Sequence, residues 1–389
     1  MTKKSTINWA KILNLNTAFW FLIVVTIGIS LQQYLLPDRD FWDATRPQYN
    51  NYLIFKYSFS HLVTGLNLYE LYPDDHGDYF KYSPTFAFFM GLLFYLPNWL
   101  GLLFWNFLNV LCLYFGIRLL PKLDAKTKVF ILLFVLFELI GNLQNEQSNA
   151  LMTGFIVLTF VSFERKNILL AALFVALGIY LKVFGVVAAA LFLLYPQKLK
   201  FLFSLSGWIV VLGLLPLVVI SPSQLIDQYM GWWNILMVDH KARYGFSVLG
   251  ILHKWFGLDP SKMMVLVVGV LLFCLGYIRK DFYKQYPFKL LFLSSILIWV
   301  ILFNHTAESS GYILAMTGSA IWYFSQEKTK LNTILIISAF VIVSLFSTDL
   351  MPAGIRNEYI YPYYIRTLPM LVIWLKVLYD MLNKKCLIQ

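Results

Sequence analysis

Residues 37–83 read PDRDFWDATRPQYNNYLIFKYSFSHLVTGLNLYELYPDDHGDYFKYS. They follow directly on an apolar run, 17–36, and Pro84 opens the next one. The stretch holds Asp38, Asp40, Asp43, Glu70, Asp74, Asp75 and Asp78, in a chain with 20 acidic residues in all. A protein that only passes a solute has little use for such an acidic platform; a membrane enzyme working at its outer surface does. Within the stretch Tyr52, Phe55, Phe59, Leu62 and Val63 recur at helical spacing, Asn50 or Asn51 is placed to cap the helix, and Gly65 to end it. The pattern predicts an amphipathic helix lying along the membrane surface.

The rest of the chain sets the class. Of 389 residues 59% are hydrophobic and only 13% charged, with a mean hydropathy of +0.68. That composition is an integral membrane protein's. Aromatics reach 18%, and Trp20, Trp42, Trp99, Trp105, Trp232, Trp233 and Trp322 sit near span ends, as interfacial belts do. The net charge of +11 does not point to nucleic acid, because the basic residues lie in short loops between apolar runs. Cys112, Cys274 and Cys386 are scattered, which gives neither a disulfide framework nor a zinc site. Lys3, Lys4 and Lys11 before the first apolar run, with no small-residue cleavage site after it, read as an uncleaved signal anchor.

Apolar runs recur at 17–36, 84–96, 100–119, 129–140, 151–163, 168–181, 183–195, 201–220, 263–277, 288–303, 312–324, 333–346 and 368–382. Basic residues gather in alternate loops, about 20 of the 31 on the side shared with the N-terminus, which assigns that side to the cytoplasm. Parity then requires one run to stop short of crossing, with 84–96 and 183–195 as candidates. The expectation is an all-α polytopic membrane protein of a single domain, 1–389, with about 12 transmembrane helices and both termini cytoplasmic. Its outer face has four pieces: 37–83, 221–262, 304–311 and 347–367.

Several residues in those pieces can carry chemistry. A carboxylate near the bilayer surface, Asp40 or Asp43 among them, can serve as general base for an acceptor hydroxyl, or simply solvate a loop. Asp38-Arg39-Asp40 has the form of a divalent-metal site, though such a pattern is common by chance. Gly141 to Asn149, with Gln147 and Asn149, is a polar run between two apolar ones, either an outer turn or the lining of a polar cavity. Lys182 lies between apolar runs and either snorkels, pairs with an acid such as Glu146, or meets an anion. Arg243, in Asp239 to Ser247, suits a phosphate or an interfacial headgroup. Asn304 to Ser310 carries His305 and Glu308; the last piece carries Arg366 among tyrosines. There is no GxxxxGK[ST], no GxGxxG with its ribose-binding acid and no HExxH, so neither a nucleotide-sugar donor nor ATP-driven pumping is supported.

Gly65-Leu66-Asn67-Leu68-Tyr69, then Tyr82-Ser83-Pro84, Gln147-Ser148-Asn149, Ala176-Leu177-Gly178-Ile179-Tyr180-Leu181-Lys182 and the His305 turn, in that order, resemble the GT-C fold glycosyltransferases. More narrowly they resemble family 87 (DUF2029), of polyprenyl-phosphate-mannose type, covering the first half of the chain well and the second loosely. The resemblance implies inverting transfer of a mannose-like sugar from a polyprenyl-phosphate donor to a lipid or glycan acceptor, at the extracytoplasmic face of the cell inner membrane. It implies a loop aspartate as base and cations on the phosphate, with no nucleotide and no cofactor, a divalent metal being left open. Asn51 occupies the slot of the family aspartate and cannot be a base. The role then passes to Asp40 or Asp43, or to Glu308, or this subgroup transfers differently. Lys182, Arg243 and Arg366 are expected on the donor phosphate; Gln147, Asn149, His305 and Glu308 along the sugar or acceptor cavity; Lys81 and Asn51 as further substrate contacts. The competing readings are a transporter or flippase of lipid-linked saccharide, which leaves the acidic first loop unexplained, and a lipid-linked glycan polymerase or ligase, which the length of 221–262 keeps open.

Overall fold

The computed structural model describes residues 14–41, 44–242, 244–348 and 350–383. Asp43 and Arg243, two of the residues singled out above, lie outside them. The chain is helical almost throughout. Helix α1 (Leu15–Leu35) leads into a hairpin, β1 (Arg39–Phe41) and β2 (Ala44–Arg46), in which Asp40 faces Thr45. There follow α2 (Asn50–Val63), α3 (Pro84–Phe94), α4 (Asn98–Arg118), α5 (Ala125–Phe134), α6 (Leu136–Gln144), α7 (Asn149–Glu164) and α8 (Ile168–Leu181), then a 3-10 helix, Val183–Leu194. The second half runs α9 (Lys198–Leu214), α10 (Pro222–Ala242), α11 (Val248–Phe256), α12 (Lys262–Cys274), α13 (Tyr286–Leu302), α14 (Tyr312–Ser325), α15 (Lys330–Ala339) and α16 (Thr367–Leu382).

Among the described residues four helices are long and apolar enough to cross a membrane, or five if α5 and α6, bent by 49° at Val135, form one span. The remaining apolar helices are shorter. Helix α3 has 11 residues, a rise of roughly 16 Å, about half a hydrocarbon core. The 3-10 helix after Lys182 has 12 residues and a rise of roughly 24 Å. These are the two runs named as candidates for the single incomplete crossing that parity demands; both are among the shorter apolar helices. Helices α7, α13 and α14 are apolar on all sides and almost wholly buried, and they form the centre of the bundle.

The first loop departs from its expected form. Helix α2 begins and ends where the sequence places it, with Gly65 at φ +75° beyond its last turn. Neither asparagine caps it. Asn50 Nδ2 donates to the carbonyl of His76 at 2.9 Å and Asn51 Nδ2 to the carbonyl of Asn145 at 2.9 Å. Nor does α2 lie on a surface with one face bare: Tyr52, Leu53, Ile54, Phe55, Phe59 and Leu62 are all buried, as is Lys56. The loop folds back over it. Arg46 Nη2 donates to the carbonyl of Pro73, His61 Nε2 meets Asp75 Oδ2 at 2.7 Å and stacks on Tyr72, and Gln228 of α10 clamps the backbone of Leu66 and Leu68. The acids are partly consumed in building this knot.

Lys182 is set by a backbone reversal. It is extended, φ −149° and ψ 127°, between α8 and the 3-10 helix. Its N–H donates to Gly178 at 2.8 Å and its carbonyl accepts from Gly185 at 2.7 Å. A Cβ on Gly185 would stand 2.4 Å from the carbonyl carbon of Gly178, backbone that cannot move aside. Gly185→Ala is therefore expected to cost about 1–3 kcal/mol, read as a lowered Tm in detergent, while alanine at Gly207, which nothing crowds, leaves the Tm unchanged.

His76 is fully enclosed in the first-loop knot. Burial, and then the neighbouring His61, lower its pKa from 6.5 to about 4. Above pH 6.5 this costs nothing. As pH falls from there to about 4 the opened loop takes up a proton that the closed loop refuses, so closure weakens by up to about 3 kcal/mol and then levels off. Amide hydrogen exchange across 61–80, corrected for the intrinsic pH dependence, should accelerate over that window in the wild type. The acceleration should be smaller in His76→Gln.

Candidate active site

The polar run between α6 and α7 turns sharply at Glu146, φ +48°, and delivers its side chains to one place. Asn149 is the junction. Its Oδ1 accepts from Lys182 Nζ at 2.7 Å and its Nδ2 donates to Ser310 Oγ at 3.1 Å. Ser148 Oγ lies 3.2 Å from the hydroxyl of Tyr82, and the Tyr82 ring centroid is 5.8 Å from the Lys182 ammonium. Ser83 Oγ, which caps α3, also donates to the carbonyl of Tyr180 at 2.6 Å, tying the start of α3 to the end of α8. Residues far apart in the sequence, 82–83, 148–149, 182 and 310, thus meet at one end of the bundle.

Lys182 is held by neutral groups: Asn149, with the rings of Tyr82 and Phe184 nearby. Among the described residues it has no carboxylate partner, so the pairing with Glu146 entertained from the sequence does not occur. An apolar cavity of about 360 Å³ is lined by Phe86, Trp105, Leu151, Phe155, Tyr180 and Leu181. Phe86 stacks on Tyr82, and Tyr180 and Leu181 immediately precede Lys182. The Lys182 backbone therefore continues directly from two of the residues that line the apolar slot.

A second charged centre adjoins the first. Arg366 is 1% exposed; its Nη2 donates to both carboxylate oxygens of Glu138 at 3.0 Å, its Nη1 donates to Ser309 Oγ, and its guanidinium lies 4.7 Å from the centroid of Tyr312. Its charge is already met by Glu138, so in this structure Arg366 positions the 309–312 turn. The sequence reading passed over Glu138; a lone acid in an apolar run, at odds with its surroundings, was the available signal. Turn 304–307 is in turn pinned by the second loop, Gly245 N donating to the carbonyl of His305 at 2.6 Å and Phe246 N to that of Ala307 at 2.8 Å.

The other expected residues are less central. Asp40 is exposed on the hairpin, where it accepts from Thr45 at 3.3 Å. Glu308 is exposed beside Ser309 and Ser310. Gln147 is half-buried and Lys81 is exposed, its carbonyl accepting from Trp232 Nε1. Asn51 reaches the turn itself, through the carbonyl of Asn145. Glu146, not among the expected site residues, is fully buried there. Among the described residues neither carboxylate oxygen of Glu146 has a hydrogen-bond partner. Burial holds its carboxyl well above the usual range, and Arg39 of the hairpin draws it partly back. Among the described residues no group of three or more His, Cys, Asp or Glu side chains is arranged to hold a metal ion.

Comparison with solved structures returns ArnT from Cupriavidus metallidurans bound to undecaprenyl phosphate, at 13% identity and a TM-score of 0.42, covering 97% of this chain and 78% of that one. Comparison with curated proteins returns no match. The profile of Glycosyltransferase family 87 matches residues 80–348. It starts at the last residues of the first loop, so the half of the chain expected to match loosely is largely inside it and the Asn51 region is outside. The match takes in Tyr82, Asn149, Lys182 and the 304–311 turn, and it extends over well more than half the sequence: the chain belongs to glycosyltransferase family 87.

Proposed function

We propose that this membrane glycosyltransferase takes a mannose-like sugar from a polyprenyl-phosphate donor and passes it, with inversion, to a hydroxyl of a lipid or glycan acceptor at the extracytoplasmic face of the cell inner membrane. The observation that carries the reading is Lys182, a cation with neutral partners that immediately follows Tyr180 and Leu181, two residues lining an apolar cavity. A lipid phosphate is the ligand such a pairing suits, the isoprenoid arm in the slot and the phosphate on the ammonium. As the bond from the anomeric carbon to the phosphate oxygen breaks, negative charge grows on that oxygen, and a fixed ammonium stabilises it without reorganising. Asn149, itself anchored by Ser310, holds the ammonium in place, and both offer polar atoms to the sugar. The basic loops on the side of the N-terminus favour cytoplasmic termini, which puts the first-loop side outside.

The experiment is a transfer assay in nanodiscs with radiolabelled polyprenyl-phosphate mannose, glucose or arabinose and a membrane lipid extract as acceptor pool. A labelled product with release of polyprenyl phosphate is expected, and one of the three donors should dominate. Lys182→Gln should lower kcat/KM for that donor by about 10- to 100-fold, the worth of a hydrogen bond to a charged group, with an unchanged Tm. An unaltered kcat/KM in a folded variant would remove Lys182 from the phosphate site.

A further inference from the structure

An inverting transferase needs a base for the acceptor hydroxyl, and Asp40 and Asp75 of the first loop are poorly placed to supply one. Asp40 is exposed on a hairpin and Asp75 is engaged by His61. Asn51, at the mouth of the polar turn, has no basic group. A carboxylate does stand at that turn. Glu146 is 0% exposed, and both its oxygens lack a hydrogen-bond partner among the described residues. Such a group is costly to keep where structure alone is at stake. It also sits at φ +48°, where a side chain other than glycine's is disfavoured. Trp105 Nε1 donates to its carbonyl at 2.7 Å, and Asn51 fixes the carbonyl just before it, so the backbone is held in this conformation from two sides.

We propose that Glu146 is the catalytic base, the position at which this chain carries the carboxylate that Asn51 cannot provide. The inference rests on the transferase reading above. In the transfer step the acceptor oxygen bonds to the anomeric carbon from the face opposite the phosphate. The bond from that carbon to the phosphate oxygen breaks, and its electron pair leaves with polyprenyl phosphate. The acceptor proton passes to a carboxylate oxygen of Glu146. Glu146 lies in the same turn as Asn149, three residues before it, and Asn149 holds the Lys182 ammonium, so the carboxylate and the cation belong to one polar cluster. The charged groups on the elements around the turn are few: Arg39 with Asp38 and Asp40 on the hairpin, Lys182 after α8, Glu308 on the 304–311 turn, and Glu138 and Arg366, which neutralise each other. Of these, Arg39 is the one that acts on the Glu146 carboxyl, and it favours the ionised form.

The test is the nanodisc assay run against pH on wild type, Glu146→Gln and Glu146→Gly. Wild-type kcat/KM should fall on the acid side through a pKa above the ordinary carboxylate range, since the base must be ionised. Glu146→Gln should lower kcat by about 100- to 10,000-fold with the donor KM unchanged, and its residual activity should lose that acid limb. Glu146→Gly should be as inactive, yet at least as thermostable as wild type because glycine accepts the left-handed backbone. A Glu146→Gln enzyme with wild-type kcat, or with the acid limb unmoved, overturns the assignment while leaving the transferase standing. A wild type that turns over none of the three donors overturns both.

Discussion

Asn149 holds the polar end of the bundle together. In an apolar surround a polar side chain with one unmet atom is expensive, and a bare ammonium more so. Asn149 answers both needs at once: its carbonyl oxygen meets Lys182 and its amide meets Ser310. Through those two bonds the end of α8, the start of α7 and the turn before α14 become one unit. The glycine contact at Gly178 and Gly185 makes the arrangement possible, since it lets the chain reverse tightly enough to aim Lys182 inward.

The legible part of the molecule was its chemistry at odds with its surroundings. Lys182, Asn149, Arg366 and the His305 turn stood out as polar groups amid apolar runs, and the fold brings Lys182, Asn149, Arg366 and the turn that holds His305 to the same end. Glu146 was in view but lost in a run of polar neighbours. Composition marks Glu146 as the one acid of that run but does not say that its carboxylate is sealed; the fold does, by burying it without a hydrogen-bond partner among the described residues. Helix α2 failed for a different reason. Its spacing is amphipathic, but whether the polar face meets water depends on what covers it. Here the cover comes from residues 66–82 and from Gln228, some 160 positions away.

Length decided the other difference. A run of apolar residues gives hydropathy but not rise per residue, and a 3-10 helix and an α-helix of equal length reach different depths. The runs 84–96 and 183–195 looked alike as sequence. They are built as an 11-residue α-helix and a 12-residue 3-10 helix, and Lys182 lies immediately before the second of these.

The Glu138–Arg366 pair joins positions 228 residues apart, the second of them at the threshold of α16, the last helix described. That places a condition on biosynthesis. A nascent chain emerging into the bilayer carries Lys182, Asn149 and Glu146 long before it carries Arg366, and until then Glu138 is an acid inside an apolar helix without its cation, and the 309–312 turn lacks one of its anchors. The last helix therefore closes a contact opened far upstream: without Arg366 the Glu138 carboxylate is left buried and without its cation.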